Sequence, residues 1–234
     1  DGLYIILKSY LWLENHGIGH EIKEEWKEGA RELADGLVNL WKSEGQLGQR
    51  VDVESGKIMM GESANANLAV GALALASEYF NEPGYLVVAN ELADHYYKHY
   101  VAKGILNGGP GDMLTCPDSE STAAMVEAYV TLWEVTDDPR HLMMAEEAAR
   151  QAATWVMPYD FTYPEDCTFG QLDMRTAGTD FANVQNKHSA PGICSLSGAV
   201  LLKLSRATGN AGYLRLIQLI AHAIPQYMSR ADRP

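Results

Sequence analysis

Apolar residues recur along the chain in two alternating kinds of run. The first kind, residues 65–79, 122–135 and 190–207, is dense in Ala, Gly, Leu and Val and carries few charges. Helices that are apolar nearly all round belong in a crowded interior. The second kind, residues 85–101, 141–157 and 213–228, sets apolar side chains at helical spacing and spreads charges such as Glu146, Glu147 and Arg150 along another face. That pattern predicts outer helices with one wet side. A fourth pair is supplied by residues 3–13, which are apolar, and residues 22–43, which are amphipathic. In the latter, Trp26, Leu33, Leu37, Leu40 and Trp41 form the expected buried stripe. Strand-like alternation is scarce.

A repeated turn joins the two kinds of run. Tyr79-Phe-Asn-Glu-Pro-Gly-Tyr85-Leu86, Val135-Thr-Asp-Asp-Pro-Arg-His141-Leu142 and Ala207-Thr-Gly-Asn-Ala-Gly-Tyr213-Leu214 share one layout: a short polar stretch, Pro or Ala, then a ring and Leu. Pro suits the first turn of a helix, where its missing N–H costs nothing. The expectation is an all-α protein, residues 1–234 forming a single domain of four inner–outer helical hairpins.

A second repeat precedes the inner runs. Glu62-Ser63-Ala64, Glu120-Ser121-Thr122 and His188-Ser189-Ala190 follow Gly-containing loops and lie 58 and 68 residues apart. Each serine is placed to cap a helix. The residue before it then stands at the helix mouth, so inner helices entering from one end would gather Glu62, Glu120 and His188 at a common rim. Asp118 lies two residues before Glu120. Asp52, Asp180, Asn186 and Lys187 crowd the same loops. The long segment 158–189 adds Arg175, a partner either for a substrate carboxylate or for neighbouring aspartates, and aromatic residues including Tyr163 that suit stacking on sugar faces. Convergent polar groups in a concave setting are the usual mark of a ligand site. Glycoside hydrolysis needs two carboxyl groups in different environments, and Glu62 with Glu120 fits that demand.

Composition narrows the partners. The chain is long enough for a substantial core. Its 31 acidic against 18 basic side chains give a net charge of −13, which disfavours nucleic acid and anionic lipid. No apolar run is long enough to span a bilayer. Cys116, Cys167 and Cys194 are odd in number and widely spaced, and suggest neither a disulfide framework nor a zinc site. His95 and His99, four apart on an outer helix, are expected to pack rather than to bind metal. No cofactor and no metal are expected. The chain opens at Asp1 rather than Met, so the compartment stays open between the cytoplasm and, with a processed leader, the periplasm or exterior.

The stretches GQRVDVESGKIMMGESANANLAVGALALASEYF and CPDSESTAAMVEAYVTLWEVTDDPRHLMMAEEAA resemble the six-hairpin glycosidase superfamily, α/α-toroid proteins that act on carbohydrate. The resemblance extends over almost the whole chain as a pattern. It implies an α/α toroid of which four hairpins are visible, either an open ring or part of a longer polypeptide. It further implies a site at the rim where inner helices begin, on Glu62, Asp118, Glu120 and His188. The expected function is a glycoside hydrolase acting on uronic-acid-containing glycans. The alternatives are a lyase or epimerase with His188 as base, and a non-catalytic glycan-binding domain.

Overall fold

The computed structural model describes residues 1–108, 115–185, 189–190 and 198–228. The fold is all-α and built of helical hairpins. Its elements are α1 (Gly2–Asn15), α2 (Glu24–Glu44), β1 (Arg50–Val51), β2 (Ile58–Met60), α3 (Ala69–Tyr79), α4 (Pro83–His99), α5 (Ser119–Thr136), α6 (Pro139–Ala153), α7 (Thr168–Gln171), β3 (Asp180–Phe181), β4 (Ser189–Ala190), α8 (Ala199–Thr208) and α9 (Ala211–Ala223). The strands form two short antiparallel ladders, β1 with β2 and β3 with β4. No described helix is long and apolar enough to cross a membrane.

The repeated turn closes three hairpins by one device. Asn81, Asp137 and Gly209 occupy the left-handed region at φ 51°, 53° and 71°. The following residue in each case, Glu82, Asp138 or Asn210, accepts a hydrogen bond from a backbone N–H of the next helix. Pro83 and Pro139 then begin α4 and α6. A reversal of direction and an immediate N-cap are thus packed into three residues.

Inner helices α1, α3, α5 and α8 pack in that order, each backed by its outer partner. They run the same way. Tyr4 lies against Gly71 and Tyr10 meets Tyr79 at a ring separation of 5.6 Å, so α1 and α3 ascend together. The Asn67 side chain donates to the Ser121 carbonyl and Gly71 faces Ala128, which aligns α3 with α5. Val200 and Leu201 share a cavity with Ser119 and Ala123 at the start of α5, while Lys203 reaches Glu134 further along, so α8 follows suit. Among the described residues α1 and α8 share no packed interface, and the row is an open arc. Leu7, Leu73, Met125, Tyr129, Leu132 and Leu204 are fully enclosed in its core.

Two sequence expectations are corrected. On α2 the buried positions are Ala30, Ala34 and Val38, while Trp26 and Leu33 are 49% and 50% exposed. Small alanines let α2 approach its neighbours and turn the large side chains to the flank. Residues 190–207 do not form one helix: Ser189–Ala190 is strand β4 and α8 begins at Ala199.

Candidate functional site

Asp118 organises the end where the inner helices begin. It is 1% exposed and caps α5: its Oδ1 accepts from Ser121 N at 2.6 Å and its Oδ2 from Gly108 N at 2.9 Å. Ser121 is therefore the third residue of α5 and not its cap. Asn107 pairs with Pro117, and Asp118 with Asn183, as isolated β-bridges. The Asn107 carbonyl accepts from Ala64 N at 2.7 Å and from the Ser63 hydroxyl. Ser119 donates its N–H and its hydroxyl to the Ala182 carbonyl at 2.9 and 3.0 Å. The turns before α3 and α5 and the segment after β3 are thus tied into one knot. Gly108 sits at its centre, where a Cβ would collide with the Ser121 hydroxyl and lie 2.9 Å from Asn65 Cα.

Glu62 and Glu120 stand outside this knot. Both are exposed. Glu62 adopts φ 51° and its N–H donates to Gln46 Oε1 at 2.9 Å. Tyr100 is close enough to Glu62 for that charge to add to burial in raising the phenol's pKa. Glu120 opens a stripe on α5. Seven helical residues turn about 700°, some 20° short of two full turns, so Glu120, Glu127 and Glu134 share one side. That side faces into the arc. Glu127 Oε1 accepts from the Tyr4 hydroxyl at 2.7 Å and from Lys8 Nζ at 2.8 Å, both on α1, and Glu134 pairs with Lys203 of α8 at 2.8 Å. The Tyr4 hydroxyl also shares a hydrogen bond with Thr131, and burial, then the Glu127 charge, pushes its pKa well up. Only Glu120 lacks a basic partner in this column among the described residues. Glutamates at heptad spacing inside an otherwise apolar run were a signal that the tripeptide repeat masked.

Asp180 has a different environment. It is 4% exposed, and its carboxyl has no hydrogen-bond partner among the described residues. It lines a cavity of about 30 Å³ with Ser119, Ala123, Val126, Val156, Leu201 and Leu216, room for one or two water molecules. Burial in these apolar walls raises its pKa from 3.8 to about 6.

The remaining expected residues scatter. Asp52 accepts from the Ser55 N–H and hydroxyl at 2.7 and 2.6 Å, which closes the β1–β2 turn and lowers its pKa. Arg175 lies 3.6 Å from Asp160, and its N–H donates to Gln226 Oε1 beyond α9. Tyr163 packs edge-on against Phe169, so this aromatic is engaged by its neighbour. His188, Asn186 and Lys187 lie outside the described residues, as does Cys194. The His95 and His99 rings lie 4.7 Å apart at a tilt, and His95 meets the Trp41 ring edge-on. Among the described residues no three His, Cys, Asp or Glu side chains are grouped to hold a metal ion.

Neither a protein-family model nor a curated protein sequence matches the chain. Its fold is similar to that of the Lin0763 protein from Listeria innocua, with a TM-score of 0.60 and 15% identity over 99% of this chain and 61% of that one. The chain therefore spans about three fifths of that protein's length, and at this identity the likeness is one of fold alone.

Proposed function

We propose that this protein is a carbohydrate-active enzyme, a glycoside hydrolase whose site lies at the rim where α3 and α5 begin, with uronic-acid-containing glycans as substrates. The observation that supports it is the placing of Glu120. It heads the acidic side of α5 with no cationic partner among the described residues, while Glu127 and Glu134 below it are each paired. Glu62 stands on the neighbouring turn, joined to the start of α5 through Asn107 and Asp118. Glu62, in the turn seven residues before α3, and Glu120, in the first turn of α5, supply the two carboxylates that glycoside hydrolysis requires. Asp118 holds the turns that carry them.

Incubating the full polypeptide with uronic-acid oligosaccharides and aryl glycosides tests this reading. New reducing ends are expected, and Glu120→Gln should lower kcat by roughly 10²–10⁴-fold with an unchanged circular dichroism spectrum. An unsaturated, ultraviolet-absorbing product would instead mean elimination. No product from any glycan would leave the reading without support.

A further inference from the structure

Helix α4 carries two imidazoles one turn apart on one side. Residues four apart on a helix are surface neighbours, so His95 and His99 fall in one column. Their ring centroids lie 4.7 Å apart with 37° between the planes, a mutual approach of two groups that would repel each other if both were protonated. The half-buried His95 ring is held by aromatic neighbours. Trp41 of α2 meets it edge-on at 5.3 Å, Tyr96 does so at 5.5 Å, and Tyr100 lies tilted at 6.1 Å. Trp41 is itself fixed, its indole N–H donating to Glu91 at 2.7 Å. His99 is exposed at the end of α4, so the pair is open to solvent on that side. His16 and His141 each commit a ring nitrogen to a hydrogen bond. Among the described residues His95 and His99 commit none. Burial, and then the neighbouring His99, hold the pKa of His95 below the ordinary 6.5, which leaves its lone pair available near neutral pH.

We propose that His95 and His99 form a chelating site for a transition-metal dication, Cu²⁺, Ni²⁺ or Zn²⁺, each imidazole giving one nitrogen and water filling the other positions. Neutral imidazole suits these ions, and histidines at this spacing on one helix face converge on a single metal in known zinc sites. The four-residue spacing alone reads as packing. Packing is present, and it is what fixes the His95 ring for ligation. No third His, Cys, Asp or Glu joins the pair among the described residues, so the site keeps open positions and differs from a closed structural zinc site. Mg²⁺ and Ca²⁺, which require oxygen ligands, do not fit it. An ion held by both rings would clamp the last turn of α4 and stabilise the folded chain. None of this depends on the hydrolase reading.

Titrating the untagged full chain with each ion tests the site. Cu²⁺, Ni²⁺ and Zn²⁺ should raise the thermal midpoint, with Cu²⁺ binding tightest, while Mg²⁺ and Ca²⁺ leave it unchanged. Cu²⁺ should also quench part of the tryptophan emission, because Trp41 stands against His95. Losing even the outer partner of a metal ligand costs 10–100-fold in affinity. His99→Asn, a change at an exposed position, should therefore weaken Ni²⁺ binding by at least about tenfold, and His95→Asn should do the same. Trp41→Phe should keep the binding and lose the quenching. A wild type whose midpoint none of the three ions moves would overturn the proposal. So would unchanged affinity in His99→Asn, or quenching that survives in Trp41→Phe, since either would put the ion elsewhere.

Discussion

The Tyr4 hydroxyl donates to Glu127 Oε1 at 2.7 Å across 123 residues of sequence. The bond joins α1 to α5 over the top of α3, and Gly71 makes it reachable. A Cβ at position 71 would lie 3.1 Å from the Tyr4 ring and 3.3 Å from Ala128 Cα. The row of inner helices curves because its first and third members are drawn together at this point.

Tyr4→Phe should therefore cost about 1–3 kcal/mol. It leaves Glu127 buried with one fewer donor, and its Oε2 already has no partner, so a desolvated carboxylate loses compensation. A double-mutant cycle with Glu127→Gln, measured by urea unfolding, should show coupling of at least about 0.5 kcal/mol. Additive effects would mean that the bond contributes nothing.

Asp118 caps a helix and a turn with one side chain. Asp118→Ala strands the N–H groups of Gly108 and Ser121 and should destabilise by about 2 kcal/mol or more. Asp118→Asn keeps one acceptor oxygen and should fall between the two. Hydrogen exchange at Gly108 and Ser121 should rise in the Ala variant before global unfolding. Unchanged protection there would contradict the role given to Asp118.

His141 is 2% exposed, with Nδ1 2.9 Å from the Thr136 hydroxyl, and burial holds its pKa below the ordinary 6.5. The unfolded imidazole takes up a proton at higher pH than the folded one. Stability from the neutral ring is thus complete above about 6.5 and is lost as pH falls. Asp180 acts in the opposite sense over part of the same range, so the comparison must be made variant by variant. In His141→Gln the decline between pH 7 and pH 5 should be shallower than in the wild type. An identical slope would rule His141 out as its source.

Asp137 sits at φ 53°, a conformation that costs an L-residue roughly 1–2 kcal/mol and glycine almost nothing. Asp137→Gly should raise stability by a few tenths to about 1 kcal/mol, the gain being reduced by the greater freedom of glycine in the unfolded chain. Gly209 already fills the equivalent place in the last hairpin, and Gly209→Ala should lower the thermal midpoint. Opposite signs at the two positions are the expected result.

How far the sequence was legible depended on whether a feature was local. The three hairpin turns were visible because Pro83 and Pro139 and the polar residues before them act within a few positions of themselves. The inner and outer character of the helices was visible for the same reason. The stripe of α2 was misjudged because Trp26 and Leu33 dominate any hydrophobic reading, whereas close packing selected Ala30, Ala34 and Val38. At the start of α5 the sequence reading rested on the wrong atoms. Ser121 stood out in a tripeptide repeat, but the capping oxygen belongs to Asp118, whose second bond, to Gly108, involves a turn ten residues earlier. The environment of Asp180 was beyond reach, because four helices distant in sequence supply its walls.

The common direction of the four inner helices has an electrostatic consequence. Each helix carries about half a positive charge at its amino end, and alignment collects these partial charges on one rim of a chain whose net charge is −13. At this rim the helix ends stand beside Glu62, Asp118 and Glu120 and offset part of their charge. The backbone amides thereby ease the crowding of carboxylates on one edge of an already acidic protein.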